Sequence, residues 1–244
     1  AARGVAGPRD GHAGQVCRCM NLALFDLDHT LIPFDSGMAW TQFLIAKGVL
    51  PSTAADTYLG YCHQYVAGTL DIHDMHRANV SPLARYPMAQ IRQWGDEFEA
   101  HLASRVPAPM LALVQSHRDA GHLCALVTAT TRFIAEPLGR LFGLPHVVAT
   151  EPVIVGLAHD GRLTGEISGL PCFQQHKVTR VEQWLTAGSG AAGWHPDLRS
   201  FERSWFYSDS ATDLPLLQAV TDPVAVTPDA RLRAVAIEAG WPIL

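Results

Sequence analysis

The chain has 244 residues, of which 18 are Lys or Arg and 23 are Asp or Glu, giving a formal net charge of −5. It has no stripe or cluster of basic residues, which argues against nucleic acid as a partner. No apolar run approaches the length that crosses a membrane, and the N-terminus lacks the charged-then-apolar order of a secretory signal. The five cysteines lack the paired spacing of a zinc site. These features predict a cytoplasmic protein that is long enough to bury a sizeable core.

Residues 1–19 are rich in Gly, Ala and Arg and show neither a helical nor a strand period. We expect them to form a flexible N-terminal extension. Met20 stands immediately before the first predicted strand, so the folded core is expected to begin there.

An apolar run at residues 22–25 ends in two aspartates one residue apart, Asp26 and Asp28, followed by Thr30. The run predicts a strand that is buried on both faces, as in a parallel sheet. Such a strand does not need carboxylates, and desolvating two like charges is costly unless they share a cation or a proton. The segment therefore predicts either a capped strand end or a site for metal binding or acid–base chemistry.

Apolar residues recur with a helical period between residues 36 and 106. The pattern predicts four helices: one that ends at Gly48, two over residues 52–67 and 71–80, and one that carries Ile91, Trp94, Phe98 and Leu102. An all-helical domain inserted between two strands is the simplest account of this region.

Strands and helices alternate again from residue 107 onward, which predicts a parallel sheet with right-handed crossovers. The predicted strands are 123–127, 147–148, 205–207 and 224–226, and the predicted helices are 110–120, 133–142, 177–185, 214–219 and one from Asp229. Asp160-Gly161 marks a hairpin beside the main sheet. We expect an α/β protein with a three-layer, Rossmann-like core of residues 20–35 and 107–244.

Polar residues also lie at the ends of other predicted elements. Thr128 follows the second strand, Lys177 begins a helix, and Asp209 and Asp213 follow the fourth strand. Each has an ordinary explanation, because Thr and Asp cap helices and Lys faces solvent. A lysine at a helix start is nevertheless unfavourable against the helix dipole. Together these residues are expected at the carboxyl ends of neighbouring strands, where open α/β sheets bind ligands.

In chain order these residues resemble the haloacid dehalogenase superfamily. Its four motifs are an apolar strand ending in D-x-D-x-T, a strand ending in Ser or Thr, a Lys at a helix start, and a strand ending in D-x-x-x-D. The matching residues are Asp26, Asp28 and Thr30, then Thr128, then Lys177, then Asp209 and Asp213. The helical insertion at 36–106 is similar to the cap domain of the phosphoserine-phosphatase-like branch of that superfamily.

The resemblance implies a Mg²⁺-dependent phosphomonoester hydrolase that acts through an aspartyl-phosphate. Asp26 would be the nucleophile, and Asp28 would act first as general acid and then as base. Mg²⁺ prefers oxygen ligands, and the resemblance implies that Asp26, the backbone carbonyl of Asp28, and Asp209 hold it. Asp213 would orient the metal from behind these ligands.

Thr128 and Lys177 are implied to bind the phosphoryl oxygens of a small phosphorylated metabolite. The same aspartyl-phosphate could pass to an alcohol, so a phosphotransferase or mutase stays open as an alternative. A phosphate-binding module without turnover fits least, because a second carboxylate beside a phosphate would weaken binding. The sequence leaves the oligomeric state open.

Substrate choice depends on Asp35, nine positions after the predicted nucleophile. In the phosphoserine-phosphatase-like branch an acidic residue at this position meets the substrate ammonium group; the alternative for Asp35 is a helix N-cap. Serine recognition also uses a cap arginine, and Arg77, Arg85 and Arg92 lie in no matching context. The pattern of Asp35-Ser36, then Trp40, then Phe43-Leu44, then the run at residues 68–72 resembles bacterial histidinol-phosphate phosphatases of the superfamily. The substrate of those enzymes has an ammonium but no carboxylate. We therefore favour histidinol phosphate, with phosphoserine as the alternative.

Overall fold

This computed structural model describes residues 20–157, 160–192, 194 and 197–244. Its central sheet has five parallel strands, and a separate antiparallel pair forms a hairpin. In chain order the strands are β1 (Leu22–Phe25), β2 (Leu123–Thr131), β3 (His146–Thr150), β4 (Pro152–Val155), β5 (Arg162–Ile167), β6 (Ser204–Ser208) and β7 (Asp222–Ala225). The central sheet has the order β3-β2-β1-β6-β7. The predicted α/β class with a parallel central sheet is confirmed.

Strand β1 is buried on both of its faces. Leu22 and Leu24 pack into one apolar cluster, whereas Ala23 and Phe25 pack into a second. The alternation follows the period of two of a strand, and coverage of both faces is typical of parallel sheets. The register also matters, because Phe25 pairs with Leu126 of β2 and with Tyr207 of β6. The segments that follow these three strands therefore emerge at one edge of the sheet.

Helices cover the sheet and also form most of the segment between β1 and β2. They are α1 (Ser36–Ala46), α2 (Thr53–Ala67), α3 (Ile72–Val80), α4 (Met88–Leu102), α5 (Ala108–Asp119), α6 (Arg132–Leu141), α7 (His176–Ala192), α8 (Leu214–Leu217) and α9 (Ala230–Ala239). The Asp71 side chain accepts a hydrogen bond from the backbone N–H of His73 at 2.8 Å and so caps α3. Gly68 ends α2 with φ +70°, a left-handed conformation that glycine adopts without a Cβ clash.

Helices α1 to α4 lie between β1 and β2, where the sequence predicts a helical insertion. The division of the chain into a cap of residues 36–106 and a core of residues 20–35 and 107–244 stays a prediction. The predicted extension, residues 1–19, lies outside the described residues. Among the described helices, none is both long enough and apolar enough to cross a membrane.

The hairpin of β4 and β5 lies against the helical insertion as well as beside the main sheet. The backbone N–H of Met88 donates to the carbonyl of Gly161 at 2.8 Å. Arg77 of α3 donates from Nε to Oε1 of Glu166 in β5 at 3.0 Å. The hairpin therefore links the core sequence to the insertion in addition to the two chain connections.

Two elements are longer than the sequence pattern predicts. Strand β2 was expected to end at residue 127 but continues to Thr131, because Thr131 pairs with Thr150 of β3 beyond an irregularity in the ladder. Helix α7 was expected over 177–185 and reaches Ala192. Its last turns are rich in Ala and Gly, which carry no apolar period, and alanine favours helix without one.

Candidate active site

A cavity of about 890 Å³ opens between the carboxyl edge of the sheet and the helices α1 to α3. Its volume suits a small metabolite. The residues that the sequence singles out all border it: Asp26, Asp28, Asp35, Thr128, Lys177, Asp209 and Asp213. The fold therefore brings together at one cavity side chains from five separate parts of the sequence.

A buried lysine joins two of the acids. Nζ of Lys177 lies 2.8 Å from Oδ1 of Asp26 and 2.7 Å from Oδ2 of Asp213. All three residues are buried. Burial disfavours the charged lysine, but the attraction of Asp213 and Asp26 outweighs it and raises the pKa of Lys177 well above its usual value. Ser208 donates to the same oxygen of Asp213 at 2.8 Å, so this carboxylate oxygen has two donors.

Thr30 bridges the acids that follow β1 and β6. Its hydroxyl lies 3.3 Å from Oδ2 of Asp26 and 3.2 Å from Oδ1 of Asp209. Burial raises the pKa of Asp26 to about 6, against the opposing effect of Lys177. Burial and the negative charge of Asp26 raise the pKa of Asp209 to about 7. Two carboxylates with facing oxygens thus resist ionising together in the protein alone.

The pair formed by Asp26 and Asp209 fits a hard divalent cation. Among the described residues, no group of three or more His, Cys, Asp or Glu side chains has the geometry to hold a metal ion. Mg²⁺ does not need such a group, because it is usually held by one or two carboxylates together with waters and substrate phosphate. Burial is the main cause that raises both pKa values, and a cation between these carboxylates would favour their charged forms. The metal role of the Asp28 carbonyl and of Asp213 stays a prediction.

Asp28 lies in a different environment from Asp26. Its Oδ1 accepts from the backbone N–H of Ser36 at 2.6 Å, and its Oδ2 accepts from the hydroxyl of Thr130 at 2.8 Å. Burial, followed by the negative charges of Asp35 and Asp26, raises the pKa of Asp28 to about 8. A carboxyl group with this pKa carries its proton at neutral pH and can give it to a leaving group.

The backbone between Asp26 and Thr30 turns at His29, which has φ +56°. The carbonyl of Leu27 accepts from the backbone N–H groups of Thr30 and Leu31, at 3.3 Å and 3.0 Å. A non-glycine residue in the left-handed region costs on the order of 1 kcal/mol, which the hydrogen-bonded turn offsets. Asp28 and His29 of this turn border the cavity, whereas Thr30 is buried behind it.

Asp35 caps α1, since its Oδ1 accepts from the backbone N–H of Met38 at 2.7 Å. The capping alternative is therefore confirmed. The same oxygen also accepts from the hydroxyl of Tyr58 on α2, at 2.7 Å. Asp35 is half-buried and borders the cavity, so capping leaves it accessible to a ligand. Its predicted contact with a substrate ammonium stays a prediction.

None of the four arginines of the insertion, Arg77, Arg85, Arg92 and Arg105, borders the described cavity. Arg77 pairs with Glu166 of the hairpin, and Arg85 donates to a backbone carbonyl at 2.9 Å. Arg92 likewise lies outside the cavity wall. The arginine that does border the described cavity is Arg231. It is an exposed residue of α9, in the predicted core domain.

Comparison with known proteins identifies the family. The model of haloacid dehalogenase-like hydrolases matches residues 23–218. The chain belongs to the haloacid dehalogenase-like hydrolase family. The predicted recognition is thereby confirmed, and so is the prediction that the chain is an enzyme, a hydrolase.

Individual relatives of this hydrolase agree with that assignment. It is 40% identical over 226 residues to the histidinol-phosphatase of Neisseria meningitidis serogroup C (strain 8013), covering 92% of this chain and 98% of the relative. It is 39% identical to the solved structure of a protein of unknown function from Bordetella pertussis Tohama I, with a TM-score of 0.80 and coverage of 92% and 98%. A substrate-bound phosphoserine phosphatase is 16% identical, with a TM-score of 0.58 and coverage of 88% and 90%, which shows the fold alone.

Thr128 of the hydrolase lies inside strand β2 and is buried. The alternative that it caps a helix is wrong, because the strand continues and Thr131 stands at the N-cap of α6. Oγ1 of Thr128 accepts from the backbone N–H of Thr130 at 3.1 Å. Its hydroxyl is still available to donate to an anion in the cavity, and its phosphate-binding role stays a prediction.

Several residues that hold the acids of the hydrolase have no role that the sequence pattern predicts. Thr30 belongs to the first motif without a role of its own, and no pattern assigns a role to Thr130 or Ser36. A signal for Thr130 exists, because it stands two positions after Thr128 and therefore faces the same side of the strand. The contact of Tyr58 with Asp35 joins residues that lie far apart in sequence and has no local signal.

Proposed function

We propose that this hydrolase is a Mg²⁺-dependent phosphomonoester phosphatase whose substrate is histidinol phosphate. The observation that carries the chemistry is the contrast between Asp26 and Asp28. Asp26 contacts the ammonium group of Lys177, whereas Asp28 is held by neutral donors and has a pKa raised to about 8. Two nearby carboxyl groups in unlike environments suit a nucleophile and a general acid.

The proposed reaction has two steps. A carboxylate oxygen of Asp26 attacks phosphorus, the bond to the ester oxygen breaks, and Asp28 gives its proton to the leaving alkoxide. A water molecule then attacks phosphorus of the aspartyl-phosphate, Asp28 takes a proton from it, and Asp26 leaves as carboxylate. Asp26 and Asp209 would hold Mg²⁺, which supplies charge neutralisation at the phosphoryl oxygens when bound. Lys177 adds a second positive charge at the same place.

Three observations support histidinol phosphate over phosphoserine. The first is the similarity to the Neisseria histidinol-phosphatase, at 40% identity over nearly the full length of both chains. The second is that no arginine of the insertion borders the described cavity, so a substrate carboxylate would lack a guanidinium partner on that side. The third is the cavity wall itself, which includes aromatic rings from Trp40, Tyr58 and Phe133.

The indole N–H of Trp40 is buried and has no hydrogen-bond partner among the described residues. An unpaired buried donor costs about 1–3 kcal/mol, so such groups usually serve a ligand or a water. The indole ring packs against Phe98 and Phe133. A cavity wall that includes aromatic rings suits a heteroaromatic substrate better than a short amino acid.

Phosphoserine is kept as a second candidate because Arg231 borders the cavity and could meet a carboxylate. The deciding experiment measures phosphate release with Mg²⁺ from L-histidinol phosphate, L-phosphoserine and p-nitrophenyl phosphate. We expect kcat/KM to be at least about tenfold higher for L-histidinol phosphate, a difference of about 1.4 kcal/mol. A preference for phosphoserine overturns the substrate, and no release from any ester overturns the phosphatase.

The nucleophile is tested by Asp26→Asn, which should abolish phosphate release while circular dichroism stays unchanged. The matched control is Asp96→Asn, because Asp96 is an exposed acid that pairs with Arg140. The control should keep full activity. Retained turnover in Asp26→Asn would show that Asp26 is not the nucleophile. Transfer of the phosphoryl group to added alcohols, in place of release, would favour a phosphotransferase.

A further inference from the structure

Helix α2 has one buried side chain, although Tyr65 of the same helix also contacts Ser210 and Thr212. Tyr58 is the buried residue of this fifteen-residue helix, with 5% of its surface exposed. Its ring borders the cavity, and its hydroxyl donates to Oδ1 of Asp35 at 2.7 Å. The helix is otherwise mostly exposed, so this contact has no explanation as general core packing.

The start of α1 is shaped to receive the Tyr58 ring. A Cβ atom placed on Gly37 would lie 2.1 Å from Oη and 2.7 Å from Cζ of Tyr58. Both distances are far inside van der Waals contact, so the hydroxyl reaches Asp35 only because residue 37 has no side chain. The missing side chain of Gly37 therefore leaves the space that the Tyr58 ring occupies.

The carboxylate of Asp35 is held at one of its oxygens. Oδ1 accepts both from the backbone N–H of Met38 and from Tyr58, each at 2.7 Å. No donor from the described residues is bonded to Oδ2, and no cation among them is paired with Asp35. Two neutral donors orient the group without neutralising its charge. One oxygen therefore remains free for a cation that enters the cavity.

Tyr58 can act only as a donor in this contact. Burial, and then the negative charges of Asp35 and Asp28, raise its pKa well above the usual value. The hydroxyl thus keeps its proton, and the hydrogen bond to a charged acceptor is of the stronger kind. A binding group that is held by a second hydrogen bond keeps the geometry its ligand needs.

We propose that Tyr58 is a positioning residue for substrate selection: by holding Oδ1 of Asp35 it presents Oδ2 to the ammonium group of the substrate. The inference rests on the proposed function, since it concerns the same cavity and the same class of ester. It makes the enzyme selective for phosphate esters that carry an amine over esters of the same shape that lack one.

The test compares wild type with Tyr58→Phe on L-histidinol phosphate and on its counterpart without the amine, 3-(imidazol-4-yl)propyl phosphate. We expect KM for L-histidinol phosphate to rise about tenfold in the variant with kcat little changed, because a hydrogen bond to a charged group is lost from binding. The amine-free ester should change by less than about twofold in either constant. Tyr61→Phe on the same helix is the matched control, since Tyr61 does not border the described cavity, and should leave both esters unchanged.

A second measurement separates positioning from a structural role. In an Asp35→Asn background, Tyr58→Phe should add little further loss, because the two residues act through one contact. If Tyr58→Phe impaired turnover of both esters equally, the residue would have a role in folding. If it impaired turnover of neither ester, the residue would have no role in substrate recognition. Both results overturn the proposal.

The proposed function can fail separately. If the wild type prefers L-phosphoserine, the same comparison is made with 3-phosphooxypropanoate, which is phosphoserine without its amine, and the inference stands or falls on that pair. Calorimetry measures the affinity of wild type and of Tyr58→Phe for L-histidinol, and so makes the same comparison without turnover. A wild type that neither binds this amine nor distinguishes the members of either ester pair overturns the inference.

Discussion

The ammonium group of Lys177 lies 2.8 Å from Oδ1 of Asp26, and both side chains are buried. Breaking a buried ion pair by removing one partner usually costs about 3–5 kcal/mol, because the other charge is left without compensation. Here Asp213 would lose the same cation. We expect Lys177→Met to lower the free energy of unfolding by this amount, measured by urea denaturation at pH 7.5, and to abolish phosphate release.

The matched control is Lys47→Met. Lys47 pairs with Glu97 on the surface of the insertion, where both side chains are about one-third exposed. Exposed pairs contribute about 0–1 kcal/mol, so this variant should stay close to wild type in stability and activity. If Lys177→Met were no more destabilising than Lys47→Met, the buried cluster would not be the source of stability that its geometry implies.

The facing oxygens of Asp26 and Asp209 predict that Mg²⁺ stabilises the protein. At a Mg²⁺ concentration of 100 times Kd, the free energy of unfolding should rise by about 2.7 kcal/mol. Metal and protons compete for these acids, whose pKa values are raised to about 6 and about 7. The gain should therefore grow as pH rises from 5.5 to 8. Thermal unfolding with Mg²⁺ and with EDTA measures it, and Asp209→Asn should lose most of it. A gain that is unchanged by pH and by Asp209→Asn would place the metal elsewhere.

The position of the acids was predictable because it follows from local pattern. An apolar run of strand length that ends in carboxylates identifies a strand end, and parallel strands in register bring such ends together. Lys177 was recognisable because a cation at a helix start needs a reason. The sequence thus located the cavity and the acids and the lysine that border it.

The supporting contacts were not predictable in the same way. Thr30 contacts Asp209 across 179 positions of sequence, and a hydroxyl carries no periodic signal. Tyr58 lies in a helix that the apolar period predicts, but that period does not single out Tyr58 as its buried residue. Its contact with Asp35 depends on the missing side chain of Gly37 and on the angle between two helices. Such contacts depend on tertiary packing, which the sequence period does not determine.

Thr130 predicts a test of the general acid. Its hydroxyl donates to Oδ2 of Asp28 at 2.8 Å, and Thr130→Val removes this bond with little change in volume. Loss of one hydrogen bond to a charged or reacting group is worth about 1.5–3 kcal/mol, so kcat should fall by about tenfold to a hundredfold in steady-state assays.

Ser36→Ala serves as the control for that variant. The donor from Ser36 to Asp28 is the backbone N–H, at 2.6 Å, so removal of the hydroxyl keeps it. The variant loses only the contact between the hydroxyls of Ser36 and Thr130, at 3.1 Å. We expect kcat to change by less than about threefold. A larger loss in Ser36→Ala than in Thr130→Val would mean that Thr130 does not orient Asp28 directly.

A buried histidine that packs against β1 predicts how the free energy of unfolding depends on pH. Nε2 of His117 lies 2.8 Å from the hydroxyl of Tyr207, and its Nδ1 lies 2.8 Å from Nδ1 of His122. The ring also meets the edge of Phe25 at a centroid distance of 5.6 Å. Burial, with the neighbouring His122, lowers the pKa of His117 from 6.5 to about 4. The folded protein therefore holds this ring neutral in a range where the unfolded chain protonates it.

Between pH 6.5 and about 4 the unfolded chain binds more protons than the folded one, so the free energy of unfolding falls as pH falls. The contribution of the neutral His117 ring to the free energy of unfolding is complete above about pH 6.5. It decreases by about 2–3 kcal/mol when the pH falls to 4.5. His117→Gln lacks the titrating group, so its own loss of stability between pH 7.5 and pH 4.5 should be smaller than that of wild type by this amount. Urea denaturation at the two pH values measures both losses. The exposed His63, replaced in His63→Gln, is the control and should follow wild type. Equal losses in wild type and His117→Gln would show that the ring titrates alike in the folded and unfolded states.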